Sequence, residues 1–156
     1  MKEIGKVLDT FSAKKGQSGL PRPKVQELKL ISGFGIDEDK FAGLDEEKAV
    51  MVVGKHTYDL AKENGINLEF GSLGENILFN FNPHEYNVGT ILQIGSVVLE
   101  ITQACTICNH LTVFNDDLPI LLQDCRGLYC KIVKSGNISS SMSVKFKKDY
   151  QKEIAL

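Results

Sequence analysis

From residue 75 to residue 103 the chain runs through "ENILFNF" (75–81), "TILQIG" (90–95) and "VVLEITQ" (97–103), apolar runs of six or seven residues separated by turn residues. Runs this short fit strands and fall below the length of an ordinary helix. Gly95-Ser96 between the last two marks a tight turn, so those runs are expected to form a hairpin. The pattern recurs along the chain. "IGKVLDTF" (4–11) and "VQELKLI" (25–31) alternate with period two, "AVMVV" (49–53) is continuously apolar and expected to be buried on both faces, and "GLYCKIV" (127–133) and "SVKFKK" (143–148) flank a turn at "KSGN". Residues 13–24, with two Pro, two Gly and four basic residues, read as a loop. Only two stretches change period. Residues 55–65 predict a helix stopped by Gly65, and residues 115–125 predict a second, capped by Asn115 or Asp116 with Pro119 in its first turn. Seven to nine short strands with two or three short helices make a mostly β fold with minor α. Closing the sheet into a β-barrel would remove its exposed edges, and the irregular placing of helices argues against a doubly wound parallel sheet.

A chain of 156 residues, 42% hydrophobic and 24% charged, suits a single folded domain over 1–156. The net charge of −2 offers no global basic field, so neither nucleic acid nor an anionic membrane is expected as a partner. No apolar run approaches the roughly 20 residues that cross a bilayer, and the first eleven residues lack the apolar centre of a signal peptide. The expected location is cytoplasmic. There the four cysteines, Cys105, Cys108, Cys125 and Cys130, stay reduced, which favours metal binding or thiol chemistry over disulfides.

Those cysteines admit four readings. Cys105-x2-Cys108 and Cys125-x4-Cys130 have a spacing that zinc tolerates, with His110 as a substitute ligand, although "CTIC" has no glycine to open a chelating turn. A thioredoxin-like pair needs a βαβ unit, and none is visible in the pattern. Buried inert thiols are the default for Cys125 and Cys130, and the favoured reading for Cys105 as well. The fourth reading is a single functional thiolate, Cys108, at a strand exit beside Asn109 and His110, suited to a soft or high-valent transition metal.

Two further motifs bear on the choice. "GSLGENI" (71–77) sets two glycines three apart, as a backbone does when it needs positive φ or close approach to a ligand. "GFGIDEDKFAG" (33–43) sets Asp37, Glu38 and Asp39 beside Lys40, as a solvated acidic loop or as an Asp-Lys pair holding a loop against a site. Together with "KAVMVV" (48–53), "VGTILQIGSVVLEITQ" (88–103), "ACTICNHL" (104–111) and "CRGLYCKIVKSGNI" (125–138), these stretches resemble, in this order, the MOSC domain family, named for the C-terminal domain of molybdenum cofactor sulfurase. The resemblance covers roughly residues 20–138 and places the family's cysteine at Cys108. The chain departs from the family at Cys105, often arginine in relatives, at Ile107 in place of proline, at Phe41 where histidine is common, and at Lys40 and Lys48 in place of arginines. Lysine keeps the charge and loses the bidentate fork.

The resemblance implies a small, barrel-like member that binds the molybdenum cofactor, a metal dithiolene on a pterin with a phosphate tail. It makes Cys108 both the catalytic residue and the metal ligand. Lys40, Lys48, Arg22 and Arg126 are the cations available to the phosphate; Asn76, Thr102 and Gln103 would read the pterin edge. Gly74 would bring backbone close to the ligand, and Glu75 and Asp39 would orient its binding groups. Two mechanisms follow. Cys108 ligates molybdenum in a small oxidoreductase acting on N-hydroxylated compounds, with a separate electron-donor protein; or Cys108 carries a persulfide received from a sulfur-donor protein and serves cofactor or metal–sulfur cluster assembly. Binding or transfer of the cofactor without turnover is also compatible, and a structural zinc module is the outside class. No pyridoxal phosphate site and no ferredoxin-type cysteine pattern is expected in this chain.

Overall fold

A computed structural model describes residues 1–105 and 109–149 of the chain. Seven strands close a barrel in the order β1-β10-β6-β7-β8-β4-β5. They are β1 (Lys2–Thr10), β4 (Val50–Gly54), β5 (Ile77–Phe79), β6 (Thr90–Ile94), β7 (Val97–Ala104), β8 (Leu128–Lys134) and β10 (Ser143–Asp149). A second sheet, ordered β3-β2-β9, is made of β2 (Glu27–Ile31), β3 (Gly35–Ile36) and β9 (Gly136–Ser139). The fold is mostly β, as the short runs predict. β6 and β7 form the expected antiparallel hairpin.

Period-two alternation sorts side chains to the two faces of the barrel wall. Val50, Val52, Ile77, Phe79, Leu99, Ile101, Leu128, Cys130 and Ile132 fill the interior, where Leu28, Leu30, Ile36 and Ile138 of the small sheet join them. The intervening residues of the same strands, Met51, Val53 and Leu78, face outward into a second cluster with Tyr58, Leu73, Cys105, Leu111, Leu118 and Leu122. β4 is therefore buried on both faces, the reason its sequence is continuously apolar.

Between β4 and β5 runs α1 (Lys55–Glu63), and the two strands pair in parallel. This is a βαβ crossover, which the sequence pattern did not reveal, because the stretch after the helix is long and irregular. It does not lead to Cys105, which follows β7 in an antiparallel part of the wall. α1 buries Thr57, Tyr58 and Ala61. It stops as predicted at Gly65, φ +79°, with the amides of Gly65 and Ile66 bonded back to Lys62 and Ala61 carbonyls, a Schellman closure.

Two expectations need correction. The helix predicted over 115–125 is only α2 (Leu118–Leu121), preceded by a 3-10 turn, Asn109–Val113. Pro119 lacks the amide that would bond Asn115 carbonyl in an α-helix starting there. The chain instead makes tighter turns, Leu118 N to Asn115 O and Gln123 N to Ile120 O, while the Asn115 side chain accepts from Asp117 N. The turn expected at "KSGN" is half strand: Gly136–Ser139 pairs with β2. Its one buried apolar residue, Ile138, is too little for an alternation signal. With β3, also hidden in a stretch read as loop, it makes the small sheet.

Candidate functional site

Residues 71–76 descend from the outer surface into β5 and organise the site. Tyr58 of α1 reaches them: its hydroxyl stands 2.8 and 2.6 Å from the two carboxyl oxygens of Glu75 and accepts from Gly71 N at 3.0 Å and Leu73 N at 3.3 Å. Gly71 N also donates to Glu75 at 3.2 Å. Glu75 is wholly buried, and burial pushes its carboxyl above the ordinary range. It braces the loop from within.

Asn76 fastens the next step. Its side-chain oxygen accepts from Met51 N (3.0 Å) and its side-chain nitrogen donates to Phe11 O (3.1 Å), while its backbone bonds the same two residues. One amide thus ties β1, β4 and β5 together.

Gly74 lies between them at φ +83°, a conformation in which a side chain is strained. A Cβ built on Gly74 would stand 3.7 Å from Arg22 Nε and 4.0 Å from Arg126 Nη2, so two guanidinium groups meet over its backbone. Arg126 is 5% exposed. Among the described residues its Nε and Nη1, and Arg22 Nη1, are buried with no hydrogen-bond partner. Arg22 comes from the 13–24 loop, held by Arg22 N to Gly71 O. Burial pulls the pKa of the Arg22 guanidinium below its ordinary value, and Arg126 adds to that effect while Asp39 opposes it. Asp39 stands 3.8 Å from Arg22 and accepts from Ser12 Oγ at 2.7 Å and Phe41 N at 3.0 Å. The aspartate therefore does hold its loop to the site, but through Arg22. Lys40 turns away, its Nζ donating to Gln17 O.

Arg22 opens into a cavity of about 270 Å³ lined also by Asp39, Phe41, Leu44, Asp45, Lys48, Met51, Asn76 and Tyr129. Lys48 Nζ sits 5.5 Å above the Tyr129 ring, and Arg22 and Lys40 lie 5.0 and 5.2 Å from the Phe41 ring. The Tyr129 hydroxyl is 3.7 Å from Cys105 Sγ.

Of the residues the sequence singles out, Arg22, Asp39, Lys48 and Asn76 line the cavity, and Arg126 and Gly74 meet Arg22 at its back. Glu75 lies beneath the loop. The single hydroxyl proton of Thr102 lies within reach of both Glu47 O and Tyr129 O, between the 3-10 turn Glu46–Lys48 and β8, and Gln103 is half-buried opposite Tyr129 on β7. Cys108, the proposed metal ligand, lies outside the described residues. Cys130 belongs to the barrel interior, where burial pushes its thiol up to about 12, whereas Cys105 and Cys125 lie in the outer cluster. The wall of the barrel therefore separates Cys130 from the other two. Tyr129 is the site residue that motif reading leaves unassigned. Period two would have found it: Leu128 and Cys130 point inward, so Tyr129 must point out beside Met51.

No helix among the described residues is long and apolar enough to cross a membrane. No curated protein matches the sequence. In fold, the chain is similar to the crystal structure of YuaD from Bacillus subtilis, with a TM-score of 0.73 and 14% identity over 92% of this chain and 96% of that one. It is similar also to YiiM from Escherichia coli, with a TM-score of 0.68 and 17% identity over 93% of this chain and 70% of that one. The family model for the MOSC domain matches residues 38–145, from the aspartate loop through the barrel to β10, and the chain belongs to the MOSC domain family.

Proposed function

We propose that the cavity binds the molybdenum cofactor and that the protein is a small cytoplasmic molybdenum-dependent oxidoreductase acting on N-hydroxylated compounds. The observation that carries this reading is the pair of buried guanidinium groups over Gly74 with N–H groups that nothing in the described protein accepts. A buried donor without an acceptor is costly, and a phosphate or other oxyanion would satisfy several at once. The missing Cβ at Gly74 lets its backbone lie beside both cations. The residues present thus fit the phosphate tail of such a cofactor.

In this reading Arg22 and Arg126 hold the anion, Lys48 adds positive charge at the rim, and Tyr129 and Phe41 flank the flat part of the ligand. Asn76, Glu75 and Thr102, whose side chains are engaged with the protein, keep these groups in place rather than read the ligand. Cys108, the family's cysteine, supplies the thiolate. The bound metal would supply the two-electron redox chemistry, with electrons delivered by a separate protein.

The test is elemental analysis of protein purified without air from a cofactor-competent host, beside Cys108→Ser and the double variant Arg22→Gln/Arg126→Gln. Near-stoichiometric molybdenum in the wild type, lost in both variants, is expected. Absence of molybdenum with a persulfide mass shift on Cys108 would instead establish a sulfur carrier, and stoichiometric zinc would overturn both.

A further inference from the structure

We infer that Tyr129 is a ligand-binding residue of this cavity, its phenol proton directed at an oxygen of the bound anion by the Cys105 thiol behind it. The inference rests on the cavity being an oxyanion site and names a third donor for it.

The Tyr129 ring lines the cavity, and its strand fixes where the hydroxyl goes. β8 pairs Tyr129 with Met51 on one side and Gln103 on the other, while its carbonyl accepts from Thr102 Oγ1. At the far end of the ring, Cys105 Sγ lies 3.7 Å from Tyr129 Oη, and Cys105 is itself anchored by its amide to Gly127 O at 2.9 Å. A phenol has one proton to give and lone pairs to receive with. Sulfur is a weak acceptor, whereas the phenol oxygen is a good one. The thiol therefore donates to the phenol, and the phenol proton turns to the cavity. The guanidinium groups of Arg22 and Arg126 both act on this hydroxyl, so it stands near the cations that would hold the anion. Burial holds its acidity below that of an ordinary tyrosine, so it stays a neutral donor and does not repel an anion.

With Asn76 oxygen occupied by Met51 N and Asp39 occupied by Ser12, Phe41 N and Arg22, the inner end of the cavity offers mainly donors. The ligand class that matches is an anion whose exposed oxygens all accept: a tetrahedral oxyanion or a phosphate monoester rather than a neutral amide or alcohol.

Calorimetric titration of the full chain, made in a host without the cofactor, with inorganic phosphate tests this. Tyr129→Phe is expected to bind roughly ten- to a hundredfold more weakly, the range for a hydrogen bond to a charged group. Cys105→Ala should lose about two- to fivefold, the lower end of a net hydrogen bond, and Cys105→Ser should recover the loss. The chain has no tryptophan and four tyrosines, so phosphate should also perturb tyrosine absorbance in the wild type and not in Tyr129→Phe. Thermal melts of each variant separate lost binding from lost folding. If Tyr129→Phe, folded, binds as tightly as wild type while Arg126→Gln does not, the inference is overturned and the oxyanion site stands. If Arg126→Gln is also unaffected, or the wild type does not bind phosphate, the site itself fails and the inference with it. Equal affinity in Cys105→Ala and Cys105→Ser would remove the positioning role.

Discussion

Glu75 sits in the loop that presents Gly74 to two arginines, yet it touches tyrosine and backbone rather than the cavity. Its burial raises the carboxyl's affinity for its proton; the bonds from Tyr58 and Gly71 and the charge of Arg126 pull the other way without cancelling that. In the unfolded chain a glutamate ionises at about 4.3. The folded protein thus holds the proton more tightly than the unfolded chain. This contribution to stability is complete below that pH and is lost as pH rises through the folded value. Glu75→Gln removes the titration. Its stability should parallel the wild type in acid and gain on it as pH rises, by at most about 1.4 kcal/mol per pH unit. Urea unfolding across pH checks this, and identical pH profiles for the two proteins would refute it. The sequence marks Arg126 as a cation and Glu75 as part of a motif. It does not mark that one is an unpartnered donor and the other a brace, because both properties come from burial by segments far away in the chain.

At the scale of elements, the strands that alternate or run continuously apolar are legible, since period two on a barrel wall leaves its trace in the sequence. The elements that escape are those whose partners rather than composition define them. β9 exists because β2 offers an edge, and β5 is three residues long because Asn76 hands the chain from loop to ladder. Asn76 is the joint. Asn76→Ala would leave Met51 N and Phe11 O buried without their side-chain partners. The expected loss is about 2–4 kcal/mol, from two buried groups at 1–3 kcal/mol each with partial relaxation. Asn76→Asp should lose more, because a carboxylate would face the Phe11 carbonyl. Chemical denaturation measures both; a loss under 1 kcal/mol for Asn76→Ala would show that the barrel does not depend on this amide.

The whole molecule is two apolar clusters on opposite sides of one wall, and only one of them bears on the site. The barrel interior holds Leu99; the outer cluster holds Leu122 together with Cys105 and Met51, with Tyr129 packed against it. Either leucine cut to alanine removes a fully buried side chain. Each should cost about 2–5 kcal/mol, a span set by how far the cavity collapses. Their effects on binding should differ. Leu99→Ala slackens a barrel whose hydrogen-bonded wall still fixes the outward residues, so phosphate affinity of the folded fraction should stay within about twofold, the size of a remote perturbation. Leu122→Ala loosens the packing under Cys105 and Tyr129 and should weaken phosphate binding several-fold more than Leu99→Ala at matched stability. Titration of both variants under strongly folding conditions decides it. Equal losses would mean that the site is set by the barrel as a whole; a loss confined to Leu122→Ala would mean that the barrel is the frame and the outer cluster is the bed of the site. That division also explains which part of the protein its sequence exposes to reading. A barrel is built from a repeated local pattern, whereas the bed of the site is assembled from one strand face, a helix, a glycine loop and two short turns that meet only when the chain is folded.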